Sequence, residues 1–167
     1  MSIFYRCLFA IAAAVAVVAA RGASYPLLAM PAPDFALRAF AGDNVRLSEH
    51  RGEVIVLTFW STGCNTCRTQ LQALDRSFTT YGSAGLQVYG ISVDDDPTRA
   101  RDFVASHRVG FKMLSDPDKT VSRLYQIDNL PMAVLIDRSG MVRDVHRDFG
   151  SQSEAQYLRE LRGLLNE

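Results

Sequence analysis

Apolar and polar positions follow distinct rhythms along this chain, and each rhythm predicts an element. Val54 to Trp60 is an apolar run of strand length, broken only by Thr58, and it predicts a central strand over Glu53 to Phe59, buried on both faces. Leu86 to Val93 reads as the next strand, and Met132 to Ile136 repeats the apolar pattern. Leu71, Leu74 and Phe78 fall instead at helical spacing and predict a helix from about Cys64 to Tyr81, ended by Gly82. Asp96-Pro97 marks a second helix start, with Asp96 as N-cap, and this helix runs to about His107. A short strand over Phe111 to Leu114 and a short helix over Asp118 to Tyr125 follow. Asp137-Arg138-Ser139-Gly140 reads as a hairpin turn into Met141 to His146. Ser153 and Gln156 have capping-box spacing ahead of an amphipathic helix through Leu158, Leu161 and Leu165. Upstream, Phe35 to Leu37 and Val45 to Leu47 form a short hairpin, and Ser48 to Gly52 a polar turn. Strands alternating with helices, then a hairpin and a closing helix, predict an α/β domain with a central mixed sheet flanked by helices.

The first residues depart from this pattern. Arg6 precedes an unbroken run of small and apolar residues from Leu8 to Ala20, closing on Val18-Ala19-Ala20. That length fits the core of a secretory signal better than a membrane span, which needs about 20 apolar residues. An uncleaved anchor of the same polarity is the other reading. Residues 1–20 are therefore a signal peptide or anchor, 21–32 an extended linker interrupted by Pro26 and Pro31, and 33–167 the folded domain. Hydrophobic residues make up 48% of the 167, enough for one domain with a substantial core. Formal net charge is zero and no lysine- or arginine-rich block occurs, so no electrostatic case exists for nucleic acid.

The candidate chemistry lies in Cys64-Asn65-Thr66-Cys67, placed where a buried strand passes into a helix. Two thiols at this spacing close a disulfide with little backbone movement. The first of them faces the free N–H groups and positive end of the helix, which stabilise its thiolate. Loss of residues 1–20 would remove Cys7 and leave this pair alone. A structural staple closes a longer loop, so an exported domain with one such pair reads as redox chemistry. Zinc needs four ligands, and His50, His107 and His146 are scattered singly without a second cysteine pair. The reading therefore includes no metal and no cofactor beyond the Cys64–Cys67 disulfide itself.

From about Met30 onward the chain resembles the thioredoxin-fold superfamily, and within it the exported TlpA/ResA-like, AhpC/TSA-related thiol–disulfide oxidoreductases. The resemblance is carried by Pro33-Asp34-Phe35-Ala36-Leu37, by Gly42-x-x-Val45-x-Leu47-Ser48-x-x-Arg51-Gly52-Glu53 and by Phe59-Trp60-Ser61-Thr62-Gly63-Cys64-Asn65-Thr66-Cys67. Tyr125-x-Ile127-x-x-Leu130-Pro131 and Leu135-Ile136-Asp137-Arg138-Ser139-Gly140 complete it, in order, over four-fifths of the chain. It implies a thioredoxin-like fold with an N-terminal β-hairpin extension and a central helix–strand insertion over Asp96 to Leu114. It also implies Cys64 as attacking and Cys67 as resolving cysteine, with Pro131 a cis-proline that pairs with substrate beside Leu130, Gly63 and Trp60. The implied partners are protein disulfides, a membrane thiol electron donor of the DsbD/CcdA kind, and apocytochrome c as client.

Three departures from the pattern stand out. Thr58 occupies the place of the buried acid of thioredoxin, so Asp95, just after the next strand, is the candidate proton-transfer group for Cys67. Gly63 replaces the tryptophan that usually precedes the first cysteine, which opens the surface around Cys64. Asn65-Thr66 lacks the usual intervening proline. Two rivals belong to other classes. A thiol peroxidase of the AhpC/TSA kind would carry a proline seven residues before its reactive cysteine, where Leu57 stands, although Ser61 fits that plan. A thioredoxin-fold copper-delivery protein would need a wider cysteine spacing and a ligating histidine.

Overall fold

The computed structural model describes residues 25–167, and the segment read as a signal peptide or anchor lies outside them. Seven strands build one mixed sheet: β1 (Ala36–Ala39), β2 (Val45–Arg46), β3 (Val54–Trp60), β4 (Leu86–Ser92), β5 (Lys112–Ser115), β6 (Met132–Ile136) and β7 (Val142–His146). Their spatial order is β2-β1-β5-β4-β3-β6-β7. The helices are α1 (Cys67–Tyr81), α2 (Pro97–Ser106), α3 (Thr120–Leu124) and α4 (Ser151–Leu165). This is the thioredoxin-like α/β arrangement expected from the sequence.

β3 shows why an almost continuous apolar run was needed at the centre. It runs parallel to β4 on one side and antiparallel to β6 on the other. Ile55, Leu57 and Phe59 pack with Leu47, Val121 and Tyr125 on one face. Val54, Val56 and Trp60 pack with Leu71 and Leu74 of α1 and Leu161 of α4 on the opposite face. Each fully buried side chain of this size contributes about 1.5–3 kcal/mol, so this strand is a main source of stability. The register also positions the chemistry. Phe59 pairs with Met132, which brings Pro131 beside the end of β3, where the chain leaves for the cysteines.

The segment Asp96 to Leu114 is built into the sheet. β5 pairs parallel with β4 and antiparallel with β1, so it joins the N-terminal hairpin to the core. Asp96 caps α2 as expected, its carboxylate accepting from the Thr98 N–H at 2.8 Å.

Four expectations are corrected. Residues 25–32 are docked on the domain: Tyr25 is 5% exposed and its hydroxyl donates to the Tyr125 carbonyl at 2.7 Å. The prolines forbid a regular strand but leave the Ala29 N–H and Met30 carbonyl free, and both pair with Val142 on the edge strand β7. α1 starts at Cys67, three residues later than its apolar spacing indicated. α3 is trimmed to Thr120–Leu124 because Lys119 adopts a left-handed conformation at φ 54°. α4 begins at Ser151 behind Gly150, and no capping box forms, since the Ser153 hydroxyl donates to Asp148 and Gln156 donates to Glu160.

Candidate active site at the Cys64–Cys67 turn

Residues 61–66 connect the end of β3 to α1, and their turn is closed by Cys64 N–H to the Ser61 carbonyl (3.2 Å) and Cys67 N–H to the Cys64 carbonyl (3.3 Å). Cys64 and Cys67 form a disulfide across a Cα–Cα distance of 5.4 Å. The later start of α1 changes the role of the first sulfur. Cys64 lies ahead of the helix, and its Sγ accepts the Cys67 N–H at 3.2 Å, while Thr66 makes no side-chain cap. The sulfur thus stands where a capping oxygen would stand, at the positive end of a fifteen-residue helix. Cys64 is half-buried and Cys67 is 1% exposed. One sulfur is reachable and the other is not.

The other predicted residues divide into two groups. The Leu130–Pro131 peptide bond is cis. Leu130, Gly63 and Cys64 line one groove of about 390 Å³ together with Val93 and Ile127. A side chain at Gly63 would meet nothing within 4 Å, so this glycine does leave the wall open. Trp60, by contrast, is fully buried, with its ring 4.8 Å from that of Phe103. Its predicted place in the substrate wall is corrected: it supports the turn from beneath and offers no surface to a client.

Asp95 also sits differently from the sequence-based expectation. Its carboxylate is 84% exposed, is paired with Lys119 Nζ at 2.6 Å and makes no hydrogen bond to either cysteine. Its neighbour Asp94 is the acid that enters the turn. Asp94 accepts from the Thr62 N–H (3.0 Å), the Thr62 hydroxyl (2.7 Å) and the Ser92 hydroxyl (2.9 Å), tying the cysteine-bearing turn to the end of β4. Asp95→Asn is therefore expected to change the rate of mixed-disulfide resolution by less than about twofold, since an exposed ion pair contributes little. Stopped-flow exchange with a model disulfide checks this, and a loss of tenfold or more would return Asp95 to the chemistry.

Sequence reasoning missed Asp94, which looked like part of a solvated acidic turn, and it missed Gln70. Gln70 is fully buried on α1, where Thr58 donates to its Oε1 at 2.7 Å. A polar residue three positions after Cys67, in phase with the buried Leu71 and Leu74, was the available signal. Among the described residues, Asp144, His146 and Glu160 form the one group whose ligand-type atoms gather within 4.8 Å. It belongs to β7 and α4 and includes neither cysteine.

A reachable sulfur, a buried partner sulfur and a cis-proline just ahead of β6 on this sheet define a thioredoxin-fold protein with a dithiol–disulfide centre. The chain belongs to the AhpC/TSA family, whose sequence profile matches residues 28–145. It is similar to the thiol-disulfide oxidoreductase ResA of Geobacillus kaustophilus, at 28% identity over 114 residues, 68% of this chain and 66% of that protein. The ResA protein of Bacillus subtilis is also 28% identical, over 66% of this chain and 62% of its own length. The match thus spans just under two thirds of these relatives. Among solved structures, a protein assigned as the thiol:disulfide interchange protein DsbE of Chlorobium tepidum superposes with TM-score 0.78 and 31% identity. That likeness covers 81% of this chain and 95% of the other.

Proposed function

We propose that this protein is an exported thiol–disulfide oxidoreductase acting through Cys64 and Cys67. The observation that carries the reading is the unequal burial of the two bonded sulfurs at the start of α1. In the reduced protein the Cys64 thiolate, held by helix N–H groups, attacks a client disulfide. The new bond joins Cys64 to one client sulfur, and the other client sulfur leaves as a thiolate that takes a proton from solvent. Cys67 then attacks Cys64 as its own proton departs, restoring the internal disulfide and releasing the reduced client. The groove along Gly63, Cys64 and Leu130 receives the client segment, with the buried cis-proline Pro131 behind Leu130, just ahead of β6.

Reduction is the proposed direction, with electrons supplied by a membrane thiol donor of the DsbD/CcdA kind and apocytochrome c as a client. Support comes from the likeness to ResA and DsbE proteins and from the apolar run Leu8 to Ala20 behind Arg6, which has the form of a secretory signal. The site's build disfavours a thiol peroxidase, despite the shared family. Leu57 lies inside β3 where such an enzyme would place a proline, and the second cysteine is bonded only three residues away.

Export is testable separately. A reporter active only outside the cytoplasm, fused behind Glu167, is expected to be active when residues 1–20 are present and silent when they are deleted. Activity without them would overturn the proposed location. A Cys67→Ser variant used as bait in the cell envelope tests the clients. Recovery of a membrane dithiol donor and of proteins carrying CxxC supports the reading, and a catch without apocytochrome c removes that client alone.

A further inference from the structure

Beneath the cysteines lies a polar pair with no evident part in stability. Thr58 and Gln70 are both fully buried between β3 and α1, the layer that also holds Val56, Trp60, Leu71 and Leu74. Their mutual hydrogen bond uses the Thr58 hydroxyl and Gln70 Oε1, which leaves Gln70 Nε2 buried without a partner. An orphaned buried donor is costly and calls for a reason. Apolar residues of the same shape would fill this space without that cost.

The position of the orphan supplies the reason. Gln70 follows Cys67 by three residues, so the two occupy neighbouring places on one face of α1. Helical side chains lean toward the helix N-terminus, which carries the Gln70 amide back toward the level of Cys67. In the oxidised protein the Cys67 sulfur is bonded to Cys64 and is a poor acceptor. Reduction by a dithiol breaks that bond: two electrons and two protons pass to the cysteines, and the donor closes its own disulfide. The freed Cys67 sulfur, 1% exposed and cut off from water, then needs a donor.

We infer that Gln70 Nε2 donates to the Cys67 sulfur in the reduced protein, so that the amide is orphaned in one redox state and satisfied in the other. This rests on the exchange reading above and assigns its site a tuning contact. The amide cannot relay a proton as a carboxylate does. It stabilises the reduced form relative to the disulfide and thereby makes the protein more readily reduced. Thr58 fixes the amide by holding its oxygen.

The test is the equilibrium of the purified domain with dithiothreitol, for the wild type and for Gln70→Met, which keeps length and loses the donor. The variant is expected to favour the disulfide about tenfold more, a potential about 30 mV lower. A purely structural Gln70 would change the melting temperature of both redox forms together and leave the equilibrium unmoved, which would overturn the inference. The wild type gives a second readout that requires no variant. The Gln70 side-chain amide protons should shift downfield in the NMR spectrum on reduction and exchange more slowly, and unchanged signals would also overturn the inference. If the wild-type cysteines fail to equilibrate with any dithiol, the exchange reading itself falls. A normal couple whose potential Gln70→Met leaves unchanged removes only the tuning contact.

Discussion

Cys64→Ser is expected to abolish disulfide exchange to the uncatalysed background, while Cys67→Ser stops turnover and leaves covalent complexes behind. The two losses differ because the two sulfurs are buried differently. Cys64 is the sulfur that a client reaches, so without it no mixed disulfide forms. Cys67 is 1% exposed and is bonded to Cys64, so its loss leaves attack intact and resolution absent. Non-reducing gels of cells expressing each variant check this. Complexes that dissolve on reduction should accompany Cys67→Ser and be missing with Cys64→Ser. The reverse pattern would exchange the two roles.

Asp94→Ala is expected to produce the largest loss of stability among polar substitutions around the site. Its carboxylate receives the Thr62 N–H, the Thr62 hydroxyl and the Ser92 hydroxyl, all partly shielded from water. Removing the acceptor leaves these donors without a partner at about 1–3 kcal/mol for the group. For a chain of this size that lowers the melting temperature by about 2–12 °C. The turn carrying Cys64 loosens with it, so exchange should slow as well. Asp94→Asn keeps an acceptor oxygen and should recover part of both losses. Thermal unfolding of the oxidised forms reads the first effect, and a melting temperature equal to wild type would show that the clamp is dispensable.

The fold was legible wherever burial forced a regular pattern. β3 and β6 are apolar at every position but Thr58 because the sheet is covered on both faces; β6 has the expected bounds, and β3 lies one residue later than expected at each end. The N-terminal docking was hidden, since Pro26 and Pro31 advertise irregular backbone while Tyr25 provides the anchoring contact. Element ends set by a single polar contact or an unusual backbone angle were also hidden, as at Lys119 and Ser153.

At the site, the cysteine pair and Pro131 were legible because their chemistry is tied to residue type and spacing. The proton-handling and positioning groups were not. Asp94 and Asp95 are adjacent and chemically alike, and only the direction in which each leaves the end of β4 separates a clamp from a surface ion pair. Trp60 was read as part of the substrate surface, and its full burial rules that out. Strand alternation turns it inward with Val54 and Val56, toward Phe103.

The central claim is that the reachable Cys64 attacks and the buried Cys67 resolves. Timed alkylation of the fully reduced domain near neutral pH, with the modified cysteine identified by peptide mass, tests this most directly. The account predicts that Cys64 is labelled at least about tenfold faster than Cys67, because it combines access with thiolate stabilisation at the helix end. Equal labelling of the two, or Cys67 labelled first, would contradict it.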